Sequence, residues 1–355
     1  MTAFWAEPDF DAHELVQLVH DRASGLTAII AIHSTHCGPA AGGTRFWHYA
    51  DPAAAMRDCL RLARGMSYKN AMAGLPLGGG KAVILADPER TKTQAMLAAF
   101  GDAIAALGGR YVTAEDVGMS EADMVAIAAR TVHVSGLPVK GAGEAGGDPG
   151  PFTAQGIYLG IKAAVRHQLG KDSLAGVHVA LQGTGSVGGG VARLLARDGA
   201  RLTLADIDAG RAAALAAELG AAHVPSEAIM TTPCDVFSPN ALGAILDEAR
   251  IAALDCAIVA GGANNQLARP EHGALLAQRG ILYAPDYVIN AGGIISVGIE
   301  YLARREGRRA DLAEVTRLIG QIPARLETIW QESAARGEPA DVVADRMAQK
   351  LIGRG

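Results

Sequence analysis

Two lysines stand in glycine-rich and apolar surroundings, Lys69 in GMSYKNAMAG and Lys81 in LPLGGGKAVIL. A lysine is ordinarily a solvated charge whose stem lies along apolar side chains. An ammonium set among such neighbours instead calls for an anionic partner or a chemical task. Two ammonium groups brought to one dry pocket disfavour each other's charge, as does the loss of water around them. One can then serve as a base near neutral pH while its neighbour stays charged and holds a carboxylate.

The elements that must position them follow from local pattern. Asp51-Pro52 reads as a cap and first helical residue, and a helix over 52–66 is expected after it. Cys59, Leu62, Met66 and Lys69, spaced by three, four and three, share one helical face, so Lys69 continues an apolar stripe inward. Lys81 follows Gly78-Gly79-Gly80 and precedes Ala82-Val83-Ile84-Leu85, which places it where a flexible turn enters a buried strand.

The second half carries a nucleotide signature. Val177, Val179 and Leu181 alternate as a strand ahead of Gly183-x-Gly185-x-x-Gly188, and Val187, Val191, Leu194 and Leu195 give the following helix its packing face. A second strand runs from Arg201 to Ala205, and Asp206 ends it 23 residues after Gly183. Strand, tight turn, helix N-terminus and a correctly placed acid are the full context of a dinucleotide fingerprint. Asp206 accepts hydrogen bonds from a ribose 2′-hydroxyl but repels a 2′-phosphate, and Ile207-Asp208 adds no arginine to rescue one. NAD is therefore expected over NADP.

Length and composition suit a two-domain enzyme: 355 residues exceed what one core usually organises, and 50% are hydrophobic. The net charge of −5 is mild, with no basic block for nucleic acid to grip. MTAFWAEPDFDAHEL has no apolar leader and no run of 18 apolar residues occurs, so neither export nor a membrane is expected and a cytoplasmic setting is. Cys37, Cys59, Cys234 and Cys256 form no CxxC pair, and His33, His36 and His133 fit no ligand spacing, so they read as structural and no metal is expected. A strand at 27–33 and helices at 91–107 and 120–130 are expected in the first third, with a Gly- and Pro-dense boundary or mobile loop at 136–151. Beyond it, strands at 177–182, 201–205, 234–237, 256–260 and 281–284 alternate with helices as a doubly wound α/β fold, and the chain from Ala310 reads as helical. Segments 238–241, 261–265 and 290–293 read as ligand loops at strand ends.

Longer motifs then make a specific likeness visible. GPAAGGTR at 38–45, MSYKNAMAGLPLGGGKAV at 66–83, TAEDVG at 113–118, CDVFSPNALG at 234–243, and VAGGANNQL followed by GILYAPDYVINAGG resemble the leucine/phenylalanine/valine branch of the glutamate dehydrogenase superfamily, the NAD-dependent L-amino acid dehydrogenases. The resemblance covers nearly the whole chain. It implies an α/β substrate and oligomerisation domain at 1–145, joined by C-terminal helices at 325–355, a Rossmann NAD-binding domain at 146–324, a cleft between them, and a homo-oligomer. By the same likeness Lys69 would hold the substrate α-carboxylate with the amides of Gly42 and Gly43, Lys81 would activate water, and Asp116 would relay protons and orient the amino group. Gly183, Thr184, Gly185, Ser186, Val187, Gly188, Asp206 and Ile207 would bind NAD. Thr153, Asn240, Ala263, Asn264 and Asn290 would line its junction with substrate.

The resemblance also places Ala41, Ala114, Ile294 and Val297 around the substrate side chain. Glutamate dehydrogenases carry a lysine where this chain has Ala41, so a second carboxylate would be buried unpaired and glutamate is disfavoured. Ala41 leans towards an aromatic substrate while TAEDVG and NQL lean towards leucine, which leaves phenylalanine and leucine equal and valine or methionine secondary. Two other readings make different demands on the sequence. A NAD-binding sensor without turnover would need a damaged Lys69, Lys81 and Asp116 set, and a 2-hydroxy acid dehydrogenase would need a His-carboxylate pair and an arginine at a strand end, which are not evident.

Overall fold

The computed structural model of the chain describes residues 4–138 and 143–355, so Val139 to Ala142 of the expected 136–151 boundary lie outside the described residues. The chain divides into two compact units. The first is Met1–Asp148, Ile294–Val315 and Ala348–Gly355, and the second is Pro149–Gly293 and Thr316–Met347.

The first unit is built on a mixed sheet. β1 (Leu15–Asp21) and β2 (Leu26–Ser34) form an antiparallel hairpin turned at Gly25, whose φ of 75° suits glycine. There follow the short β3 (Ala40–Ala41), β4 (Thr44–Trp47), the helix α1 (Pro52–Met72), β5 (Gly78–Leu85), α2 (Gln94–Ala106), β6 (Tyr111–Val112) and α3 (Glu121–Ala128). The order is β1-β2-β5-β3-β6, with β4 also paired to β5, so β5 is central.

Strand alternation assigns its two faces. Val83 joins Ile29 and Ala31 beneath α1, which buries Ala55, Cys59, Leu60 and Ala63 against them. Ala82 and Ile84 join Ile30, Ile32 and Tyr111 beneath α2 and α3, which contribute Phe100, Ile104, Met124 and Ile127. Lys81 therefore belongs to the α1 face. The fully buried Leu60 contributes about 2 kcal/mol to that interface.

Two expectations are corrected here. Gly78 to Gly80 are not a flexible turn but the first residues of β5. A Cβ on Gly78 would stand 2.0 Å from the Ser34 carbonyl, on Gly79 1.9 Å from the Ser67 amide, and on Gly80 2.8 Å from the Tyr111 ring. The glycines let β2, α1 and the Tyr111 ring approach the strand closely. The helix expected over 52–66 continues through Gly65 to Met72 and stops before Gly74, whose φ of 72° is left-handed, and so Lys69 lies on α1 itself.

The second unit opens with α4 (Gly150–Leu169) and runs β7 (His178–Gln182), α5 (Ser186–Arg197), β8 (Arg201–Ala205), α6 (Ala209–Leu219), β9 (Ala222–His223), β10 (Val236–Pro239), α7 (Glu248–Ala253), β11 (Ile258–Val259), α8 (His272–Gln278), β12 (Leu282–Tyr283) and α9 (Asp286–Ile289). Its six strands are all parallel in the order β12-β11-β10-β7-β8-β9. This is the doubly wound arrangement, with its switch point between β7 and β10. Segment 290–293 differs from the loop expected at a strand end. Asn290 caps α9 and Gly292 starts α10 (Gly292–Arg305), where a Cβ on Gly292 would meet the Phe152 carbonyl at 1.9 Å.

The C-terminal segment from Ile294 is shared differently from the expected 325–355. α11 (Leu312–Ile319) leads to α12 (Ile322–Arg336) and α13 (Ala340–Leu351). α12 belongs to the second unit, where Trp330 donates Nε1–H to the Tyr283 carbonyl at 2.9 Å and Leu326 lies against Gly160. Residues 294–315 instead join the first unit, where Glu300 accepts from the Gly136 amide at 3.0 Å and His133 meets the Tyr301 hydroxyl at 3.2 Å. The last residues return there too. Arg354 donates to the carbonyls of Asp11, Ala12 and His33 at 2.7–2.9 Å, and the buried His33 ring contacts Ser67 Oγ on α1 at 2.8 Å. Among the described residues no helix is long and apolar enough to cross a membrane.

Candidate functional site

In the first unit β5 delivers Lys81 and the loop after β6 delivers Asp116. Lys81 Nζ lies 2.5 Å from Asp116 Oδ2, with the lysine side chain 7% exposed. Burial works against the Asp116 carboxylate, but the charges of Lys81 and Arg45 outweigh it and hold its pKa at about 2. Asp116 is thus ionised at any working pH. Lys69 is half-buried on α1 and has electrostatic or hydrogen-bond partners of its own.

The loop bearing Asp116 is stitched to the GGTR segment. Thr44 N–H donates to the Ala114 carbonyl and Phe46 N–H to the Val117 carbonyl, both at 2.9 Å. The Thr44 and Thr113 hydroxyls meet at 2.6 Å, and the Tyr111 hydroxyl donates to the Gly42 carbonyl at 2.7 Å. Gly42 and Gly43 are required sterically: a Cβ there would reach the Gly80 carbonyl at 1.9 Å and the Glu115 carbonyl at 2.4 Å. The Gly42 amide was expected to bind carboxylate. It donates instead to the Val112 carbonyl at 3.1 Å, because the β3–β6 pairing extends past Ala41. Ala41, Ala114 and Val297 are buried and Ile294 half-buried, all in the first unit.

Several residues escaped the sequence reading. Arg45 places Nε 3.2 Å from Asp116 Oδ2 and Nη1 2.7 Å from Asp58 Oδ2 on α1, and the Tyr49 hydroxyl donates to Asp58 at 2.6 Å. Asn70, next to Lys69 and fully buried, donates Nδ2 to the carbonyls of Gly78 and Ala41 at 2.6 and 3.2 Å. The available signals were the arginine ending GPAAGGTR and an asparagine where the helix stripe is apolar.

The second unit offers a site made of backbone. Gly183 leaves β7 with φ +89°, and a Cβ there would meet the Asn240 backbone at 2.8 Å. On Gly188 it would meet the Gly183 carbonyl at 1.9 Å, whereas on Gly185 it would meet nothing within 4 Å. Gly185 is the N-cap of α5 and makes no side-chain cap bond; Ser186 and Val187 form the first turn. Open space before an N-terminus without a side-chain cap fits a diphosphate.

Asp206 is nearly buried. Its Oδ2 accepts from Thr184 N–H at 2.7 Å and Thr184 Oγ1 at 3.0 Å, and its Oδ1 from Asp208 N–H at 2.9 Å. Burial opposes its charge, but these donors prevail and its pKa is lowered. Sequence reading saw no arginine nearby, yet Arg211 on α6 brings Nη2 to 3.3 Å from Asp206 Oδ1. Ile207 is 92% exposed beside it.

The loops after β10 and β11 interlock. Asn240 Oδ1 accepts from Gly262 N–H at 2.9 Å, and Ala263 N–H donates to the Pro239 carbonyl at 2.9 Å. Asn290 donates Nδ2 to Asn264 Oδ1 at 2.8 Å and to the Gly262 carbonyl at 3.1 Å, while its buried Oδ1 has no protein partner. A buried amide oxygen left over in this way fits a donor supplied by a ligand such as a nicotinamide amide. Thr153, at the start of α4, donates Oγ1 to the Pro149 carbonyl at 2.9 Å.

Comparison with known proteins meets this geometry from another side. Residues 13–133 match the family described as Glu/Leu/Phe/Val dehydrogenase, dimerisation domain, and residues 208–351 match Glutamate/Leucine/Phenylalanine/Valine dehydrogenase. The chain is 46% identical to the leucine dehydrogenase of Geobacillus stearothermophilus, over 96% of its own length and 90% of the relative's. It is 43% identical to the valine dehydrogenase of Streptomyces virginiae, over 97% and 95%. The solved L-tryptophan dehydrogenase from Nostoc punctiforme superposes with a TM-score of 0.82 at 38% identity, covering 96% of each chain.

Proposed function

The chain belongs to the glutamate/leucine/phenylalanine/valine dehydrogenase family and is an amino acid dehydrogenase of apolar substrates, and we propose that it deaminates leucine first and valine second, using NAD. The single observation that carries the mechanistic part is the 2.5 Å contact between Lys81 and Asp116 on a buried strand. A bound nicotinamide would supply the acceptor for the substrate Cα hydride, and the iminium left on the substrate would be open to water. Lys69 holds the α-carboxylate. Lys81, once its ammonium has passed a proton through Asp116 to solvent, takes the proton of the attacking water and returns it to the departing ammonia, general-base work worth roughly 10²- to 10⁴-fold in rate. Asp116, ionised at rest, anchors the ammonium form of Lys81, orients the substrate amino group and accepts a proton only in passing.

Substrate choice rests on the pocket. Ala41 offers no charge to a second carboxylate, which supports apolar side chains over glutamate. Sequence left phenylalanine and leucine level, and the leucine and valine dehydrogenases among the relatives tip the choice to the branched aliphatic acids. Ala114, Ile294 and Val297 complete the wall in this reading. One methylene is worth only about 1–3 kcal/mol in such a pocket, so several acids should be accepted.

For the cofactor, the Ser186 and Val187 amides and the open face of Gly185 would take the diphosphate, Thr184, whose amide is held by Asp206, would shape the turn, and Asp206 would take the ribose hydroxyls. Asn240, Ala263 and Asn290 would take the nicotinamide end, with Thr153 and Asn264 at its junction with substrate. Arg211 weakens the argument from charge, since it neutralises part of Asp206, but the carboxylate still stands where a 2′-phosphate would come. Self-association through the first unit is supported by the family description and by β1, whose one strand neighbour among the described residues is β2 and whose Leu18 is 69% exposed.

The experiment is NADH consumption with ammonium and a panel of 4-methyl-2-oxopentanoate, 3-methyl-2-oxobutanoate, phenylpyruvate and 2-oxoglutarate, repeated with NADPH. The highest kcat/KM is expected with 4-methyl-2-oxopentanoate and NADH. A preference for phenylpyruvate or for NADPH would overturn the corresponding assignment.

A further inference from the structure

The ion-pair cluster behind Asp116 extends further than the residues given roles above. Strand β4 grips the Asp116 loop at three successive residues: the amides of Thr44 and Phe46 hold its carbonyls, and the side chain between them, Arg45, reaches its carboxylate. The same guanidinium spans to Asp58 on α1, the helix that also carries Lys69. Asp58 is itself fixed, accepting from the Tyr49 hydroxyl at 2.6 Å and from Arg61 at 3.1 Å. Asp116 Oδ2 is thus shared by two cations, Lys81 at 2.5 Å and Arg45 at 3.2 Å.

We propose that Arg45 is a positioning residue for the deamination, holding the Asp116 carboxylate against Lys81 and tying that pair through Asp58 to the helix that bears Lys69. The proposal rests on the reading of Lys81 and Asp116 as the proton-handling pair. A planar guanidinium with donors fixed in a fork can satisfy two carboxylates on different elements at once, which a lysine, a point charge on a flexible stem, cannot. Both of its partners keep Arg45 charged although burial acts against it, and its charge in turn helps keep Asp116 ionised. Without Arg45 the carboxylate keeps Lys81 but loses its second anchor. A small drift of such a group costs rate while leaving carboxylate binding at Lys69 untouched.

The test separates charge from linkage. Arg45→Gln should lower kcat roughly tenfold to a hundredfold with KM within about threefold. It should also move the pH–activity profile up by about one unit, because loss of a cation raises the proton affinity of the groups around it. Arg45→Lys keeps the charge but not the fork, so its profile should stay in place while kcat falls. Asp58→Asn should lower kcat similarly alone and add nothing in the Arg45→Lys background, since both changes cut the same link.

A wild-type kcat in Arg45→Gln, or a fall in kcat with an unmoved profile and additive losses in the Asp58 cycle, would overturn the proposal. If Arg45→Gln does not fold, the Arg45→Lys and Asp58→Asn cycle decides alone. Lys81→Ala is run beside them. If it is inactive while the Arg45 and Asp58 variants are normal, the positioning role alone falls; if it turns over normally, the proton-handling reading falls and takes this proposal with it.

Discussion

The two halves of the candidate chemistry are built by opposite means. The Lys81 site is a cluster of charged side chains from β4, β5, α1 and a loop, each held by ion pairs that burial makes costly to break. The Gly183–Gly188 site is almost entirely backbone shape, in which side chains are excluded at Gly183 and Gly188 and left out at Gly185. A site made of charge should respond to substitution through rate and pH, whereas a site made of shape should respond through steric fit.

The largest expected effect tests the first statement. Lys81→Ala should cut turnover by on the order of 10³-fold while NADH still binds with wild-type affinity, read by single-turnover kinetics and NADH fluorescence titration. Near-normal turnover would mean that the ion pair is merely architectural. Next, the glycines should part company. Gly188→Ala drives a methyl into the Gly183 carbonyl and should destabilise by about 3 kcal/mol, seen as a lower melting temperature. Gly185→Ala meets no protein atom, has a φ of −67° that alanine tolerates, and should melt like wild type yet bind NADH roughly tenfold more weakly. Equal melting of the two variants would break the contrast.

Acid should also separate the units. Burial, followed by the charge of Arg354, lowers His33 in the first unit to about 4, so the unfolded chain binds the extra proton between pH 6.5 and 4 and stability is lost as pH falls through that window, by at most ~3 kcal/mol. Burial raises Asp341 in the second unit from 3.8 to about 6, so there the folded chain gains the proton first and stability rises as pH falls from 6 towards 3.8. Hydrogen exchange at pH 7 and pH 5, corrected for intrinsic rates, should show β2 and α1 loosening and the start of α13 tightening. A common direction in both would refute the assignment. The smallest effect concerns Asp206→Ser, which should lower kcat/KM for NAD by roughly 10-fold and narrow the gap to NADP, because Arg211 would then be opposed by Asp208 alone. An unchanged cofactor ratio would remove Asp206 from the discrimination.

What could be read in the sequence tracks this same division. The strand, glycines and acid of the second unit are local in sequence, and β7 and β8 fall within a residue of the expected 177–182 and 201–205, with the expected helix, α5, between them. Lys69 and Lys81 stood out because apolar neighbours made their charge anomalous. Arg45 did not, since its partners lie 13 and 71 residues away and nothing local marks the ion pairs. The two-residue strands β3 and β6 are too short for any period to register, and the triple glycine was misread because a close approach and a flexible turn ask for the same residue. Residues 325–347 lie with the second unit and only 348–355 with the first, a division the sequence does not carry because amphipathicity says that a helix packs, not against what.

The return of Arg354 to His33 and to the carbonyls of Asp11 and Ala12 bears on how the molecule is made. On a ribosome the N-terminal body emerges first, yet the residues that fasten it at 348–355 emerge after every residue of the second unit, which ends at Met347. The nucleotide-fold half, interrupted only by residues 294–315 of the first unit, can therefore be finished once Met347 has emerged while the lysine-bearing half still waits, its His33 carbonyl uncovered. The order of birth and the order of completion are reversed.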